Sequence, residues 1–262
     1  MVSYVCVGYG KKKTISSAKK CFEIKKDVSI ILPTYNEEKN IPKIIESIRK
    51  NFKGLNYEIV ILDDNSSDKT PEIIDNSAKK GDILAIHRTG KKGYFSAYYD
   101  AILISNGEYV LTMDSDMSHP AETARSFWDF KKDWDIVSGS RYMEGGGMEA
   151  PFLRKYGSEW LNRICSFIIG LKQTDIAGDF HLMKKSKFCQ IEFRYPAVFG
   201  EFDFELFYRA RKKGFKIKEI PFVYRFREEG ESAMGSGAAD AKKLAKFAWA
   251  YVKMALRLRF LG

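Results

Sequence analysis

The chain has 262 residues, 44 Lys and Arg against 34 Asp and Glu, a formal net charge of +10, 45% hydrophobic residues and 30% charged ones. That is enough apolar material for one large domain or two small ones, and it excludes a wholly disordered or collagen-like chain. No apolar run approaches the length of a spanning helix, and the dispersed Cys6, Cys21, Cys165 and Cys189, with no C-x-x-C, argue against a disulfide framework or a zinc site and fit a reducing compartment.

Residues 1–26 read as a basic arm. Val5-Cys6-Val7 is cut by Gly8, Gly10 and Lys11–Lys13, which does not make the apolar core of a signal peptide. From Asp27 a strand–helix alternation begins. Val28–Leu32 is a β-branched run stopped by Pro33, and Ile41, Ile44, Ile45 and Ile48 follow at helical spacing. Glu58–Leu62 predicts a second strand, ending in Asp63-Asp64. Asp68–Lys80 reads as its helix, with Asp68 as N-cap and Pro71 in the first turn. Ile83–His87 is a third strand, and a glycine-bearing loop at 89–93 leads to a helix ending near Asn106. Glu108–Met113 is a fourth strand, Pro120–Lys132 a helix and Asp135–Ser138 a fifth strand. Residues 144–151 read as a flexible break, followed by a helix from Phe152 to Ile169, further strands and a helix at Phe202–Lys213, and a mobile loop at 227–237. In the last segment Leu244, Phe247, Ala248, Tyr251, Val252, Ala255 and Leu258 share one helical face, and most lysines fall off it.

This repeated order predicts an α/β fold, a mostly parallel sheet with helices on both faces and ligands at the carboxyl ends of the strands. Chemistry-bearing residues collect at those ends. In Asp114-Ser115-Asp116 the two carboxylates share a face of extended backbone. A hard divalent cation would relieve their repulsion while also taking substrate phosphate oxygens. A solvated turn is the plainer reading of the tripeptide. Asp63-Asp64 is suited either to a base or ribose edge or to capping the turn that follows. Tyr35 and Glu37, in Pro33-Thr34-Tyr35-Asn36-Glu37, fit a base and ribose pocket or an ordinary strand-to-helix turn. His119 suits a metal ligand or a local hydrogen bond, the second being preferred. Arg141, Arg154 with Ser158 one turn on, and Arg227 are guanidinium candidates for phosphate, or surface ion pairs. A dinucleotide fingerprint, a P-loop and a nucleophile elbow are all absent. The basic excess fits nucleic acid, anionic headgroups, phosphorylated substrates or a lysine-rich soluble surface. With no nucleic-acid motif in the chain, no nucleic-acid partner is expected.

Together these segments resemble the family 2 glycosyltransferases of GT-A fold, and within them the dolichyl-phosphate mannosyltransferases and related polyprenyl-phosphate hexosyltransferases. The resemblance rests on PTYNE (33–37), DDNSSDKT (63–70), HRTGKKGYFSAYYDA (87–101), MDSDMSHP (113–120), SGSRY (138–142), the glycine-rich loop with Arg154, and FREEGES (226–232). It implies a catalytic domain over residues 27–237 and transfer of a hexose, mannose from GDP-mannose first and glucose from UDP-glucose second, to dolichyl or polyprenyl monophosphate. Pro33, Tyr35, Glu37, Asp64 and Asp114 would contact the nucleotide. Asp114, Asp116 and Ser118 would handle Mg²⁺ or Mn²⁺ and the donor pyrophosphate. Arg141, Arg154 and Ser158 would hold the acceptor phosphate, and Arg227 the donor pyrophosphate. A glycan acceptor, or a scaffold that binds a nucleotide sugar without turnover, are the rival readings.

This chain departs from the family pattern in three places. D-x-T-S-G-F-R is replaced by Asp175–His181, G-E-S-K by Gly230-Glu231-Ser232-Ala233, and the G-L-G turn by Gly93-Tyr94-Phe95. A lipid acceptor favours residues 238–262 as a basic amphipathic helix in the membrane interface, over a helix packed on the core or a partner subunit. The expected location is therefore the cytoplasmic face of a membrane, peripherally bound, with a separate membrane protein as a further partner.

Overall fold

A computed structural model describes residues 3–8, 11–16, 25–89, 93–195, 201–225 and 241–262. The first elements are β1 (Ser3–Gly8), β2 (Lys11–Ser16), β3 (Lys26–Thr34), α1 (Ile41–Asn51), β4 (Tyr57–Asp63), α2 (Thr70–Ala78), β5 (Ile83–Arg88), α3 (Tyr94–Ile104) and β6 (Gly107–Thr112). Then come α4 (Ala121–Phe127) with a 3-10 turn (Trp128–Phe130), β7 (Ile136–Ser140), β8 (Gly147–Met148), α5 (Phe152–Ile169), β9 (His181–Lys184) and α6 (Lys185–Phe188). The last are α7 (Phe202–Lys212), β10 (Ile217–Pro221), β11 (Val223–Tyr224) and α8 (Ala241–Leu261).

Nine strands form one sheet in the order β10-β7-β9-β6-β3-β4-β5-β1-β2. β3 runs parallel to β4 and β6, β4 to β5, and β7 to β10. β9 is antiparallel to both β6 and β7. Alternation along the central strands divides the core. Val28, Ile30, Leu32, Ile59 and Ile61 face the cluster shared with α1, α2 and α4. Ile31, Val60 and Leu62 face the cluster shared with α3, α5, α7 and α8. Strands buried on both faces need such continuous apolar runs.

Three expectations change. The segment read as a basic arm contains the hairpin β1–β2, and β1 pairs antiparallel with β5. The break at 144–151 is structured, because β8 pairs with β11 and Gly147 donates its N–H to the Phe222 carbonyl at 3.0 Å. α2 begins at Thr70, since Asp68 stays outside the helix and accepts the Thr70 N–H at 3.0 Å. The shared apolar face of α8 turns inward: Phe247, Tyr251, Ala255 and Leu258 are buried, and the Tyr251 ring meets Phe204 at 5.1 Å. Gly139 is demanded by packing, because a Cβ there would stand 2.6 Å from Phe180 and 2.9 Å from Phe222.

His87, on β5, sits between Asp63 (3.4 Å) and Asp75 (2.9 Å). Burial opposes its charge, but the two carboxylates outweigh burial and raise its pKa above the ordinary 6.5. The group binds its proton more tightly folded than unfolded. Its contribution to stability is therefore full below about pH 6.5 and is lost as pH rises through the raised value. Chemical denaturation of His87→Gln between pH 5.5 and 8.5 is expected to lose that part of the pH dependence. An unchanged profile would exclude the linkage.

Candidate active site

Polar residues end each central parallel strand on the same side of the sheet: Thr34 closing β3, Asp63 closing β4 with Asp64 after it, Arg88 closing β5 and Asp114 shortly after β6. The same rim carries every non-glycine residue with positive φ among those described, Asn36 (55°), Asn65 (65°), Met117 (69°) and Asp179 (49°). Left-handed backbone at side-chain-bearing residues is costly and clusters where function constrains a loop.

The Asp114–Asp116 loop is fixed from several directions. The Asp114 N–H donates to His119 Nδ1 at 2.9 Å, so the imidazole proton lies on Nε2. His119 stacks on Phe180 with centroids 4.5 Å apart and planes 7° from parallel. Burial pushes its pKa down to about 3, so the ring is neutral. The preferred reading of His119 as a local hydrogen bonder is what the geometry gives. Ser115 Oγ donates to the Pro33 carbonyl at 3.0 Å, tying the loop to the end of β3. Asp116 is buried and its Oδ1 accepts the Ser118 N–H at 3.0 Å. On the other side of the carboxylates, Tyr94 and Tyr98 on α3 donate to Asp114 Oδ1 at 2.7 and 3.3 Å.

Arg88 is the anchor that neither composition nor motif spacing had singled out. Its side chain is fully buried. Nε donates to Asp64 Oδ1 at 2.8 Å, and Nη2 to the same oxygen at 2.5 Å. Nη1 reaches Ser96 Oγ at 2.8 Å and Asp100 Oδ2 at 3.3 Å. Nη2 also meets the Gly93 carbonyl at 3.1 Å, while the Gly93 N–H donates to Asp64 Oδ2 at 3.2 Å. The guanidinium thus joins the ends of β4 and β5 to the first turn of α3. The signal that finds it is register: β4 and β5 are parallel with Asp63 opposite His87, which sets Arg88 beside Asp64.

Arg141 follows β7 and is engaged with Asp175, Nε to Oδ2 at 2.7 Å and Nη2 to Oδ1 at 2.8 Å. Nη2 also donates to the Ala177 carbonyl at 3.0 Å, and Nη1 takes no part in these bonds. Tyr142, next in sequence, shares a hydrogen bond with Ser158 Oγ on α5 at 2.8 Å. Arg154 lies one turn before Ser158 and is half-buried. Tyr224 connects the two halves of the site, its ring 5.8 Å from the Arg141 guanidinium and 6.1 Å from His119. Burial, with Asp116 and Asp114 nearby, pushes its phenol up to about 12.

A buried acidic group stands behind this layer. The Asp179 N–H donates to Asp203 Oδ2 at 2.7 Å, and His181 Nε2 lies 3.1 Å from Asp203 Oδ1. Burial raises both carboxyls, the Asp203 charge further raising Asp179 and the Asp175 charge further raising Asp203, and burial pushes His181 down to about 4. His181 is therefore a neutral residue in this chain.

Of the residues singled out from sequence, Tyr35 is exposed on the rim. Glu37 is buried, and its Oε2 accepts from Asn40 Nδ2 at 2.6 Å. Asp64 belongs to the Arg88 network, and Ser118 is fully buried. Arg227 and the loop expected at 227–237 lie outside the described residues. Among the described residues no three His, Cys, Asp or Glu side chains converge as a complete metal cage. The Asp114–Asp116 pair instead fits a hard divalent cation that takes one or two protein carboxylates and completes its shell with diphosphate and water.

Removing the Arg88 charge would leave the buried Asp64 carboxylate without its guanidinium counter-charge. Arg88→Met is expected to cost about 3–5 kcal/mol, measured by urea unfolding; a loss below about 1 kcal/mol would show the pair to be dispensable.

The glycosyl transferase family 2 model matches residues 29–191. The dolichol-phosphate mannosyltransferase of Pyrococcus furiosus is 34% identical over 214 residues, 79% of this chain and 59% of that protein, so this chain spans less than two thirds of that relative's length. The polyprenol monophosphomannose synthase of Mycolicibacterium smegmatis is 30% identical, covering 81% of this chain and 83% of that one. The dolichyl-phosphate hexose transferase of Haloferax volcanii is 30% identical, covering 84% and 93%. In fold, the chain is similar to glucosyl-3-phosphoglycerate synthase of Mycobacterium tuberculosis, solved with Mn²⁺, UDP and phosphoglyceric acid, at a TM-score of 0.62 and 15% identity over 94% of this chain and 85% of that one. The expected GT-A architecture is therefore the one observed, and with a model match over more than half its length the chain belongs to glycosyl transferase family 2.

Proposed function

We propose that the protein transfers mannose from GDP-mannose to dolichyl or polyprenyl monophosphate, inverting the anomeric centre, while bound to the cytoplasmic face of a membrane. One observation carries this reading. The Asp114–Asp116 pair and the Arg141–Tyr142–Ser158 group lie at the same rim of the sheet with Tyr224 between them. An anionic donor leaving group and an anionic acceptor would thus have separate partners. The names of the curated relatives supply the substrate class.

In this reading Pro33, Tyr35, Glu37 and Asp64 shape the nucleotide side. Asp114 and Asp116, with Ser118 beside them, would hold Mg²⁺ or Mn²⁺. When bound, that cation would supply positive charge as the nucleoside diphosphate departs. Arg227 would add a guanidinium to the same charge. The acceptor phosphate is already a nucleophilic anion near neutral pH, so no general base is required. Arg141, Arg154 and Ser158 would orient its oxygen toward the anomeric carbon. One in-line displacement converts an α-linked donor into a β-linked product.

The membrane assignment rests on side chains other than the buried face of α8. On α5, Phe152, Tyr156, Trp160, Ile164 and Phe167 recur every three or four residues and face outward, with Phe152 76%, Trp160 65% and Phe167 86% exposed. α8 packs on α5 and adds exposed Trp249, Leu256 and Phe260, with exposed Lys246, Lys253 and Arg259 among them. Soluble monomers rarely expose so continuous an apolar strip, and aromatic residues with flanking cations suit the lipid headgroup boundary. No helix among the described residues is long and apolar enough to cross a membrane. A separate membrane protein remains a candidate partner of the same face.

Incubation with GDP-mannose and a short dolichyl phosphate is expected to give an organic-phase, β-linked product with Mg²⁺ or Mn²⁺ and none with EDTA. Transfer from UDP-glucose instead would reassign the sugar, and an α-linked product by NMR would overturn the single displacement. Asp116→Ala is expected to lose at least about 100-fold in turnover with an unchanged melting temperature; full activity would remove Asp116 from the mechanism. The triple variant Phe152→Ser, Trp160→Ser, Phe167→Ser is expected to bind anionic vesicles at least about tenfold more weakly in co-sedimentation, since each large apolar side chain contributes ~1.5–3 kcal/mol when buried. Unchanged binding would remove α5 from the membrane face.

A further inference from the structure

We propose that Tyr94 is a positioning residue which, together with Tyr98, holds one oxygen of Asp114 and so sets how that carboxylate meets a divalent cation carrying a nucleoside diphosphate. The inference deepens the function proposed above and rests on its reading of Asp114.

Tyr94 and Tyr98 are one helical turn apart at the start of α3, so both side chains project from one face. Their rings meet edge to face, 5.0 Å apart at 86°, and both pack on Phe202. The two hydroxyls lie 3.4 Å from each other and converge on Asp114 Oδ1, at 2.7 Å for Tyr94 and 3.3 Å for Tyr98. A phenol is protonated at neutral pH, so each hydroxyl has a proton to donate to the carboxylate. The shorter contact has the length of a charge-assisted O–H to carboxylate bond.

Asp114 keeps 26% of its side chain exposed, so the hydroxyls restrain the group without burying it. His119 fixes the Asp114 amide at the same time. Asp116, two residues on, is restrained separately through Ser118 N–H to Oδ1. Each carboxylate of the pair therefore has at least one oxygen held by the protein before any ligand arrives, which lowers the ordering cost of binding. Gly93, at φ 98°, starts the helix in a conformation that favours glycine, which brings residue 94 round to face the carboxylate.

The test is Mn²⁺ binding by the full-length protein, read from the electron paramagnetic resonance signal of free Mn²⁺ in parallel titrations with GDP and with UDP. Four proteins are compared: wild type, Tyr94→Phe, Tyr98→Phe and Asp114→Asn, each with its melting temperature. Phenylalanine keeps the ring packing and removes only the donor. Tyr94→Phe is expected to weaken Mn²⁺ about tenfold, Tyr98→Phe by less because its contact is longer, and Asp114→Asn to lose binding, all with near-native melting temperatures. Wild-type Mn²⁺ affinity in both phenylalanine variants, alongside loss in Asp114→Asn, overturns the tyrosine clamp and leaves the site reading intact. Wild-type affinity in Asp114→Asn overturns that reading and the clamp with it. Should Tyr94→Phe fold poorly, Tyr98→Phe alone decides: weakened binding supports the clamp and wild-type affinity overturns it.

Discussion

The candidate site depends on one buried cation. Arg88 ends an apolar strand with a side chain that has no exposure, and the partners of its guanidinium lie at the end of β4 and along α3 with its leading Gly93. A buried guanidinium is tolerable only when its donors are satisfied and its charge is met. Asp64 meets the charge, while Ser96, Asp100 and the Gly93 carbonyl take the remaining bonds. Satisfying Arg88 fixes where α3 begins, and that brings Tyr94 and Tyr98 over Asp114. The carboxylate three strands away is thus oriented by an arginine it does not touch.

The site is also acidic, and the fold manages that charge in three ways. Arg88 pairs directly with Asp64 and Asp100, and Arg141 with Asp175. Asp179 and Asp203 are driven toward their protonated forms by burial first, with the Asp203 charge adding to the shift at Asp179 and the Asp175 charge to that at Asp203. His119 and His181 are buried without charge and serve as shape and hydrogen-bond partners. The exposed part of Asp114 is left to face the cleft, where an incoming cation lowers the local negative potential. Tyr224, flanked by Asp114, Asp116 and Arg141, has an environment that keeps it a neutral donor.

The helices behind the sheet connect this chemistry to a surface. α5 carries Arg154 and Ser158 on its first turns and an outward apolar strip along its length. In the proposed function the residues that would meet the lipid phosphate and those that would meet the bilayer therefore share one rigid element. α8 braces α5 by burying Tyr251, Met254, Ala255 and Leu258 against the core, which frees Trp249 and Phe260 to extend the same surface. A helix that buries one face and exposes aromatic residues on another serves two interfaces at once.

Periodicity and punctuation made the alternating strands and helices legible from Val28 to Ser140, because strands buried on both faces must be apolar and their loops must be polar. The Asp114–Asp116 pair was legible for the same reason, standing just past a strand of five residues buried in six. The motif set also made the family legible. Three things depended on tertiary structure. The hairpin β1–β2 joins the sheet through backbone hydrogen bonds to β5, which no side-chain pattern announces. The inward face of α8 looks the same in sequence whether it meets lipid or core, and only its contacts with α5 and α7 decide. The Arg88, Tyr94 and Asp175 partnerships join residues 20 to 34 positions apart through strand register and loop return. Local sequence fixes which residues alternate along an element, whereas a hydrogen bond between elements depends on how the whole sheet sets them side by side.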